Sequence, residues 1–351
     1  MLQPFSGFWE RLPKPIIGLS PMDGVTDFAC RAITARHGRP DVMFTEFTTA
    51  EGLFYAPEKI LRDFEYDEIE RPVVAQIYGH RPEDFYRATH VVCELGFDGI
   101  DINMGCPSKP VVRKNCGAKL ITVPDLALEI IRATRAAIQD WASGQRLEDL
   151  KIPERILAVV LRMNRLRTGA ERSTARRPIP YSVKTRIGYD EVVIEQWVET
   201  LLRENPAVIS IHGRTLKQMY KGAAQWDAIA RAAQAARGSG TLILGNGDVS
   251  SLDEAFRLAA KTGVDGVLIG RSAIGNPWIF SRTGLPEVTR ETRIRVALEH
   301  ASYYVETGGA RDFRSLRKHL VGYLKYFPDA AGLRKNALNA GNLQELSAAL
   351  D

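Results

Sequence analysis

The sequence has few cysteines and none of the spacings that bind metals. Its four cysteines, Cys30, Cys93, Cys106 and Cys116, form no C-x-x-C pair and no ligand spacing with the six histidines. Neither a zinc site nor a disulfide framework is predicted, and no metal partner is expected. The chain also lacks a run of eighteen apolar residues, and its first residues, MLQPFSGFWERLPK, lack the apolar core of a signal peptide. We therefore expect a soluble cytoplasmic protein with no membrane partner.

The net charge is modest, but the positive charges are concentrated in two stretches. The 47 Lys and Arg residues exceed the 42 Asp and Glu residues by five. Residues 155–177 contain seven arginines against Glu171, and residues 310–336 contain seven Lys and Arg against Asp312 and Asp329. Two separate basic stretches on a near-neutral chain indicate a polyanionic partner that binds at defined places.

Short apolar runs alternate with helical patterns along most of the chain. Its 351 residues, 45% hydrophobic and 25% charged, suffice for two domains or for one barrel with an appendage. Eight βα units in order predict a (β/α)8 TIM barrel, with a doubly wound open sheet as the alternative. The predicted strands are Ile16–Met22, Val42–Phe47, Val73–Gly79, Gly99–Pro107, Tyr181–Gly188, Val208–Thr215, Thr241–Asp248 and Gly266–Ala273. The predicted helices include one from Asp27 to Gly38, Glu83–Leu95, Asp125–Trp141, Glu191–Arg203 and Ser251–Lys261.

The strand pattern ends after Ala273, and the chain is predicted to be helical from Thr289 onward. We therefore place the barrel at residues 1–284 and a small helical domain at 285–351. An insertion at about 139–180 separates the fourth helix from the fifth strand, and part of it, IPERILAVVLRMNRL, has the pattern of a basic amphipathic helix. Since helix-to-strand connections lie on the N-terminal face of a barrel, we expect the insertion opposite the active site, without direct contact with the substrate.

Polar residues at positions i and i+2 end several predicted strands. The third strand adds Gln76, and the pairs are Asp101/Asn103, Lys184/Arg186, His212/Arg214 and Asn246/Asp248. Both members of a pair lie on one face of their strand, and the C-terminal strand ends of a TIM barrel form its active site. The general polarity of loops explains any one pair but not the convergence of all four. These residues are therefore candidate site residues.

Residues 98–121, DGIDINMGCPSKPVVRKNCGAKLI, place a thiol at the end of a buried strand. Strand pairing ends at Pro107 because proline has no N–H to donate. Cys106 therefore lies at the mouth of the strand, and it is followed by the basic residues Lys109, Arg113 and Lys114. Such a thiol is suited to meet an anionic polymer or a developing enolate. Cys30 and Cys93, which fall within helical stretches, are expected to be core residues.

Glycines after the last two predicted strands indicate a phosphate site. Asn246-Gly247-Asp248 and Gly270-Arg271 combine small residues, which allow close approach to backbone N–H groups, with a guanidinium. Taken singly, each glycine is an ordinary turn residue. Together, at the mouths of strands seven and eight, they favour a phosphate, because TIM barrels frequently bind one there.

The motif DINMGCPSK, followed by RKNCGAKL, resembles the signature of the tRNA-dihydrouridine synthases, flavin enzymes that reduce uridine in transfer RNA. Further segments that resemble this family occur in the same order along most of the chain. Among them, RKHLVGYLKYF is similar to the helical RNA-binding domain of that family. The resemblance implies FMN as cofactor, NADPH or NADH as reductant and tRNA as partner. It implies that FMN is held by Pro21, Met22, Asp23, Gln76, Asn246, Gly247, Asp248, Gly270 and Arg271.

The resemblance also assigns roles to individual side chains. Lys184 would be a fixed cation beside the N1–C2 edge of the flavin, and otherwise it is a lysine that extends from a strand end. His212 is either a flavin contact or an ordinary strand-end histidine. Reduction of uracil across C5=C6 needs a hydride at C6 and a proton at C5, and the thiol of Cys106 can supply the proton.

Recognition of the substrate is assigned to a second group of residues. Asn103 and Arg186, at positions that match the family, can hydrogen-bond the edge of a uracil. A base inside a folded RNA cannot reach the bottom of a barrel, so the uridine must be turned out of its stack. The protein must then bind the RNA backbone elsewhere, and the predicted RNA contacts are Arg314, Arg317 and Lys318.

Two other functions are compatible with parts of the sequence. A flavin barrel acting on a small molecule, similar to dihydroorotate dehydrogenase, would share the phosphate site and Lys184 but would have no use for the basic helical tail. An RNA-binding protein on a barrel that has lost catalysis would keep the tail and would be colourless. A monomer is the default expectation, since no residue pattern addresses the oligomeric state or the choice between NADPH and NADH.

Overall fold

Nine parallel strands form a closed sheet in the computed structural model, which describes residues 4–172, 176–283, 288–308 and 312–351. The strands are β1 (Ile16–Leu19), β2 (Val42–Phe44), β3 (Thr48–Thr49), β4 (Val73–Tyr78), β5 (Gly99–Met104), β6 (Tyr181–Arg186), β7 (Val208–His212), β8 (Leu242–Asn246) and β9 (Gly266–Ile269). Their order is β2-β1-β9-β8-β7-β6-β5-β4-β3, and β2 also pairs with β4, which closes a barrel of eight strands. The two-residue β3 only extends the pairing of β4. The predicted (β/α)8 barrel is confirmed.

Helices alternate with the barrel strands as predicted. The described helices are α1 (Phe28–His37), α2 (Pro57–Ile60), α3 (Pro82–Glu94), α4 (Lys109–Arg113), α5 (Pro124–Ala142), α6 (Glu154–Thr168), α7 (Ile194–Leu202), α8 (Trp226–Ala235), α9 (Leu252–Thr262), α10 (Arg290–Glu306), α11 (Arg317–Tyr323), α12 (Ala330–Asn339) and α13 (Leu343–Leu350). Helix α1 begins where the Asp27 side chain accepts the N–H of Cys30 at 2.9 Å, as the sequence predicted. None of the described helices is long and apolar enough to cross a membrane.

The barrel interior changes from apolar to polar along its axis. At the N-terminal end, Phe8 and Trp9 pack against inward-facing aliphatic residues such as Ile16, Val74 and Leu268 and close the barrel. At the C-terminal end the inward positions are polar on β4 to β8. Burial of the apolar end stabilises the barrel, and the polar end is left open for a site.

The C-terminal helices pack on the barrel through a shared core. Ala29 and Ile33 of α1 and Trp278 belong to the same buried cluster as residues of α10 to α13. The contact is close at Gly322 in α11, where an added Cβ would lie 1.9 Å from the carbonyl oxygen of Ile274. This contact fixes α11 beside the loop that follows β9. The predicted domain boundary at 284/285 lies outside the described residues.

The insertion forms an extra helix, α6, on the outer wall of the barrel. At its start Arg155 donates to the carbonyl oxygen of Phe54 at 3.1 Å, and near its end Arg167 lies over the ring of Tyr66 at 4.1 Å. The insertion therefore extends from the segment after β3 to the turn before β5. We had expected it to lie on the N-terminal face of the barrel, but it is not confined to that face. Contacts of its arginines with backbone and aromatic groups on the outer wall of the barrel hold it there.

Candidate active site

A cavity of about 1030 Å³ opens at the C-terminal ends of the barrel strands. Its lining includes Cys106, Asn103 and Arg186 and every residue that the sequence predicted for the cofactor. Those cofactor candidates are Pro21, Met22, Asp23, Gln76, Lys184, His212, Asn246, Gly247, Asp248, Gly270 and Arg271. The structure thus brings into one cavity residues that are spread over most of the sequence.

The strand register places the polar side chains next to one another around the barrel. The neighbouring pairs are Gln76–Asp101, Asn103–Lys184, Arg186–His212 and His212–Asn246. Paired residues on adjacent strands project to the same face of the sheet. The convergence that the i, i+2 pairs predicted is therefore a direct consequence of the register.

A buried chain of hydrogen bonds connects the barrel interior to Cys106. Asp101 is fully buried and accepts from Ser182 Oγ at 2.5 Å and from Gln76 Nε2 at 2.6 Å. Gln76 Oε1 accepts from Asn103 Nδ2 at 2.8 Å, and Asn103 Oδ1 accepts the backbone N–H of Cys106 at 2.9 Å. Burial raises the pKa of Asp101 to about 6, while the bonds from Ser182 and Gln76 lower it. The carboxyl group thus anchors Gln76, which in turn orients Asn103.

The hydrogen bonds of Asn103 determine how it can meet a base. Its Oδ1 accepts two backbone N–H groups, from Gly105 at 3.1 Å and from Cys106, and this fixes the orientation of the amide. Its Nδ2 donates one hydrogen to Gln76 and has a second to offer. Asn103 can therefore donate to a carbonyl oxygen of a pyrimidine, but it is poorly placed to accept from a ring N–H.

The thiol of Cys106 lines the cavity and is buried, with 8% of the residue exposed. Burial raises the pKa of this thiol, and Asp23 raises it further, whereas the N–H of Ser108 and the cations Arg186 and Lys184 lower it. The net direction is upward, so the thiol is protonated at neutral pH. Cys106 is therefore suited to donate a proton rather than to act as a thiolate nucleophile.

Lys184 and Arg186 place two cations on the same face of β6. Burial, with Arg186 next in importance, lowers the pKa of Lys184 to about 8, and the Nζ atom donates to Asn246 Oδ1 at 3.3 Å. Arg186 is 4% exposed, and its Nε donates to the carbonyl oxygen of Gly105 at 2.7 Å. The Nη1 atom of Arg186 donates to the carbonyl oxygens of Thr215 and Met219, both at 3.2 Å. Arg186 thus ties the Cys106 loop to the opposite wall of the cavity.

His212 is a neutral histidine in a cationic site. Burial, followed by the charges of Arg186 and Lys184, lowers its pKa to about 2. Its Nε2 lies 3.4 Å from Arg214 Nη1, a donor, so Nε2 is the acceptor and Nδ1 carries the proton. His212 can donate a hydrogen bond from Nδ1, but it does not serve as an acid or base near neutral pH.

The carboxylate of Asp248 holds two arginines together. It is bonded to Arg214 and to Arg271, the latter at 2.6 Å, and it accepts the N–H of Ala224 at 2.8 Å. Burial opposes its ionisation, but these bonds prevail and the pKa of Asp248 is lowered. The partners of the Asp248 carboxylate are thus groups of the protein itself, and not of a ligand. The group that faces a ligand here is Arg271, which is 62% exposed at its side chain.

Close packing at the ends of β8 and β9 explains the glycines there. Gly247 has φ +130°, and a Cβ at this position would lie 2.7 Å from the Cβ of Ala224. A Cβ on Gly270 would lie 3.4 Å from Met22 Sδ, at the edge of the cavity. Substitution at Gly247 would be strained whatever the side chain. Arg271 follows Gly270 directly, so this corner combines open backbone with a positive charge, as a phosphate requires.

The three predicted RNA contacts lie outside this cavity and in different surroundings. Arg314 is exposed, whereas Arg317 and Lys318 are half-buried. Lys318 lines a smaller cleft together with Asp27, Glu46 and Glu65. Its charge lowers the pKa of Asp27, although burial raises that pKa overall. Only Arg314 therefore presents its charge fully to solvent.

Sequence reasoning missed the residues at the mouth of the cavity. Met219 and Tyr220 lie on the loop after β7, and Lys325 and Tyr326 on the loop after α11. Tyr220 and Tyr326 are exposed by 62% and 87%. No periodic pattern marks these loop positions, and the place of the second loop beside the cavity depends on how the C-terminal helices dock. Arg214 was recognised as a partner of His212 in its strand pair, but its bond to Asp248 was not foreseen.

Comparisons with known proteins identify the family of this chain. The family model for dihydrouridine synthase (Dus) matches residues 18–143 and 168–351, so most of α6 falls in the unmatched interval. The chain is 34% identical over 353 residues to a probable tRNA-dihydrouridine synthase of Staphylococcus aureus (strain COL), covering 98% of this chain and 94% of that protein. It is 33% identical over 352 residues to probable tRNA-dihydrouridine synthase 2 of Bacillus subtilis (strain 168), covering 98% and 95%.

Among solved structures, morphinone reductase aligns with a TM-score of 0.45 and 11% identity, covering 80% of this chain and 89% of that chain. This similarity is too distant to add to the assignment. The family match and the two bacterial relatives, each aligned over nearly its full length, are decisive. The chain belongs to the dihydrouridine synthase family.

Proposed function

We propose that this protein is a tRNA-dihydrouridine synthase that uses FMN and NAD(P)H to reduce the C5=C6 bond of specific uridines in tRNA to 5,6-dihydrouridine. In this proposal residues 1–284 form the catalytic barrel and residues 285–351 the tRNA-binding domain of a cytoplasmic monomer. The observation that carries the proposal is the buried thiol of Cys106 in a cationic cavity large enough for a cofactor and a base.

The cavity has the features that FMN requires. Arg271 and the backbone at Gly247 and Gly270 would hold the phosphate, because they offer positive charge and space for close approach. Lys184 would lie beside the N1–C2 edge of the ring, where a cation stabilises the reduced form. His212, neutral and with its proton on Nδ1, would add a hydrogen bond without adding charge. The volume of about 1030 Å³ is at the upper end of ordinary ligand sites.

The chain's own residues would perform the proton transfer and hold the base. When bound and reduced by NAD(P)H, FMN would supply the hydride equivalent that C6 of uracil needs. Cys106 donates its proton to C5, which leaves a thiolate that takes a proton from solvent before the next turnover. The two new C–H bonds replace the C5=C6 double bond, so electrons and protons balance.

Asn103 and Arg186 would orient the base. Asn103 has one N–H to donate and therefore fits a uracil carbonyl. Arg186 uses Nε and Nη1 for backbone oxygens, and its Nη2 makes no hydrogen bond to the described part of the chain. Two donors directed at carbonyl oxygens would stabilise the negative charge that develops on uracil when hydride adds to C6.

The test is an assay of the purified full-length protein. The proposal requires a yellow protein whose flavin is FMN, and NADPH- or NADH-dependent formation of dihydrouridine in unmodified tRNA, detected by nucleoside mass spectrometry. A colourless protein that binds tRNA would favour an RNA-binding barrel without catalysis. A yellow protein that oxidises NADPH with a small acceptor but leaves tRNA unchanged would favour a small-molecule oxidoreductase.

A further inference from the structure

Tyr326 has a backbone conformation that a tyrosine rarely adopts. It lies in the loop between α11 and α12 at φ +66°, in the left-handed region. This conformation is strained for a bulky side chain and nearly free of strain for glycine. The side chain is also 87% exposed, so it gains little from burial. Burial therefore does not account for this strained aromatic residue, and such outliers occur preferentially at functional sites.

The position of Tyr326 is defined by the fold. Residues on both sides of it anchor the loop, because Gly322 packs on Ile274 and Arg334 Nη1 donates to the carbonyl oxygen of Leu324 at 2.6 Å. The loop is therefore held over the cavity, which Tyr326 and its neighbour Lys325 line. The C-terminal helices thus contribute directly to the entrance of the active site.

One side of the Tyr326 ring is backed by a cation. The Cζ atom of Arg293 lies 5.6 Å from the centre of this ring and 5.4 Å from that of Trp278. The Nη1 atom of Arg293 is buried and has no hydrogen-bond partner in the described part of the chain. Arg293 is therefore held by the two rings and orients the tyrosine. The rest of the ring is open to solvent and to the cavity.

We propose that Tyr326 is a stacking platform for an unpaired base of the RNA substrate, next to the uridine that enters the cavity. Every base presents a π-face, and single-stranded nucleotides are bound by stacking on aromatic side chains. A uridine that leaves its stack exposes the face of its neighbour. Tyr326 would cover that face, and Lys325 would contact the adjoining phosphate.

This inference deepens the proposed function and rests on it. It defines the substrate as an RNA with an unpaired nucleotide beside the target uridine. A free nucleoside offers no neighbour to stack, and a fully paired helix exposes none. Tyr220, which is 62% exposed, lines the same cavity. The platform thus selects for a strand that crosses the mouth of the cavity.

The test measures the dissociation constant of an unmodified tRNA transcript, which does not depend on turnover. Tyr326→Ala should raise it about tenfold, equivalent to about 1.4 kcal/mol. Tyr326→Phe should remain within about twofold of the natural protein, since the ring is kept. Tyr326→Gly should bind as weakly as Tyr326→Ala, yet its melting temperature should not be lower than that of the natural protein, because glycine relieves the strain.

Tyr55→Ala provides a matched control, because Tyr55 is 71% exposed and does not line the cavity. Its dissociation constant should not change. Equal binding by Tyr326→Ala and the natural protein would overturn the proposal, and so would equally weak binding by Tyr326→Phe and Tyr326→Ala. A marked fall in the melting temperature of Tyr326→Gly would show a structural role instead. If the natural protein formed no dihydrouridine, the proposed function would fail, while this binding series would still decide the role of Tyr326.

Discussion

The side-chain oxygen of Asn103 accepts the backbone N–H of Cys106 at 2.9 Å. The residue proposed to contact the base therefore also positions the residue proposed to protonate it. The same oxygen accepts the N–H of Gly105, and the amide nitrogen is held by Gln76. A change at Asn103 should thus act on both recognition and proton transfer.

Asn103→Ala should lower the rate of dihydrouridine formation by roughly 10- to 100-fold, because two backbone N–H groups lose their acceptor and the thiol loses its position. FMN content should stay close to normal. In Asn103→Ala the rate at which Cys106 is alkylated should also change, because the thiol is no longer positioned. Asn103→Asp keeps the acceptor but removes the donor, so its alkylation rate should be that of the natural protein while its turnover stays low. Alkylation can be followed by peptide mass spectrometry. Full turnover in Asn103→Asp would show that the donor to the base is unnecessary.

Cys106→Ala should reduce product formation by about 10²- to 10⁴-fold, the usual contribution of a general acid, while NADPH still reduces the bound flavin. The pH profile has a definite sign. Since the pKa of the thiol is raised, the acid form persists through neutral pH, and the rate should fall only on the alkaline side. Single-turnover reactions of pre-reduced protein with tRNA measure this step. A normal rate in Cys106→Ala would place the proton donor elsewhere.

Much of the site was predictable because a barrel converts a local pattern into a global one. A period of two puts Lys184 and Arg186 on one face of β6, and closure of the sheet brings all such faces to a single cavity. The strand ends and the cavity residues were therefore accessible from the sequence. The same rule could not reveal which side chains face a ligand and which bind each other.

The missed features depend on contacts between distant segments. Asp248 appeared to belong to a phosphate site, but its carboxylate holds Arg214 and Arg271. Tyr326 carries no sequence signal, because its importance arises from a positive φ and from the docking of α11 against the loop after β9. In the insertion, Arg172 and Arg176 approach the buried acid Glu94, a partner that no sequence pattern indicates.

Lys184 and Arg186 should separate cofactor and substrate functions. The pKa of Lys184 is about 8, so its positive charge is complete below that pH and is lost above it. Flavin reduction by NADPH should therefore slow as the pH rises through about 8, and Lys184→Arg should abolish this dependence because guanidinium stays charged. Lys184→Met should be slow at every pH. Stopped-flow absorbance of the flavin provides the measurement.

Arg186→Lys is the companion variant for that experiment. It keeps a cation, but its single nitrogen replaces the two separate nitrogens with which Arg186 donates to Gly105 and Thr215, so the Cys106 loop should loosen. Dihydrouridine formation should fall by at least about tenfold with flavin reduction nearly normal. Equal defects of both half-reactions in Lys184→Met and Arg186→Lys would contradict the division of roles on β6.

The three predicted RNA contacts of the helical region should not be equivalent. Arg314 is exposed, so Arg314→Gln should flatten the log–log salt dependence of tRNA binding by about one unit, as expected for one lost phosphate contact. Lys318 faces a cleft lined by Asp27, Glu46 and Glu65. Lys318→Gln should therefore lower the melting temperature, and it should change the salt slope less than Arg314→Gln does. An unchanged slope in Arg314→Gln would move the RNA contact to another surface.

Two pairs of arginines in the insertion allow the effect of charge to be separated from that of structure, because the two pairs carry equal charge. Arg172 and Arg176 approach the carboxylate of Glu94, which is 1% exposed, at 3.9 and 3.4 Å. Arg162 and Arg165 are exposed on α6. Loss of the first two leaves a buried acceptor with fewer partners, whereas loss of the second two removes the same charge from the surface.

Arg172→Gln with Arg176→Gln should therefore lower the free energy of unfolding by about 1–3 kcal/mol, and Arg162→Gln with Arg165→Gln should change it by no more than about 0.5 kcal/mol. Adding Glu94→Gln to the first pair should recover part of the loss, since the buried charge is then removed. Chemical denaturation measures these differences. In both double variants the KM for tRNA should stay within about twofold of the natural value. A tenfold rise in both, about 1.4 kcal/mol, would show that the insertion contacts the substrate through its charge.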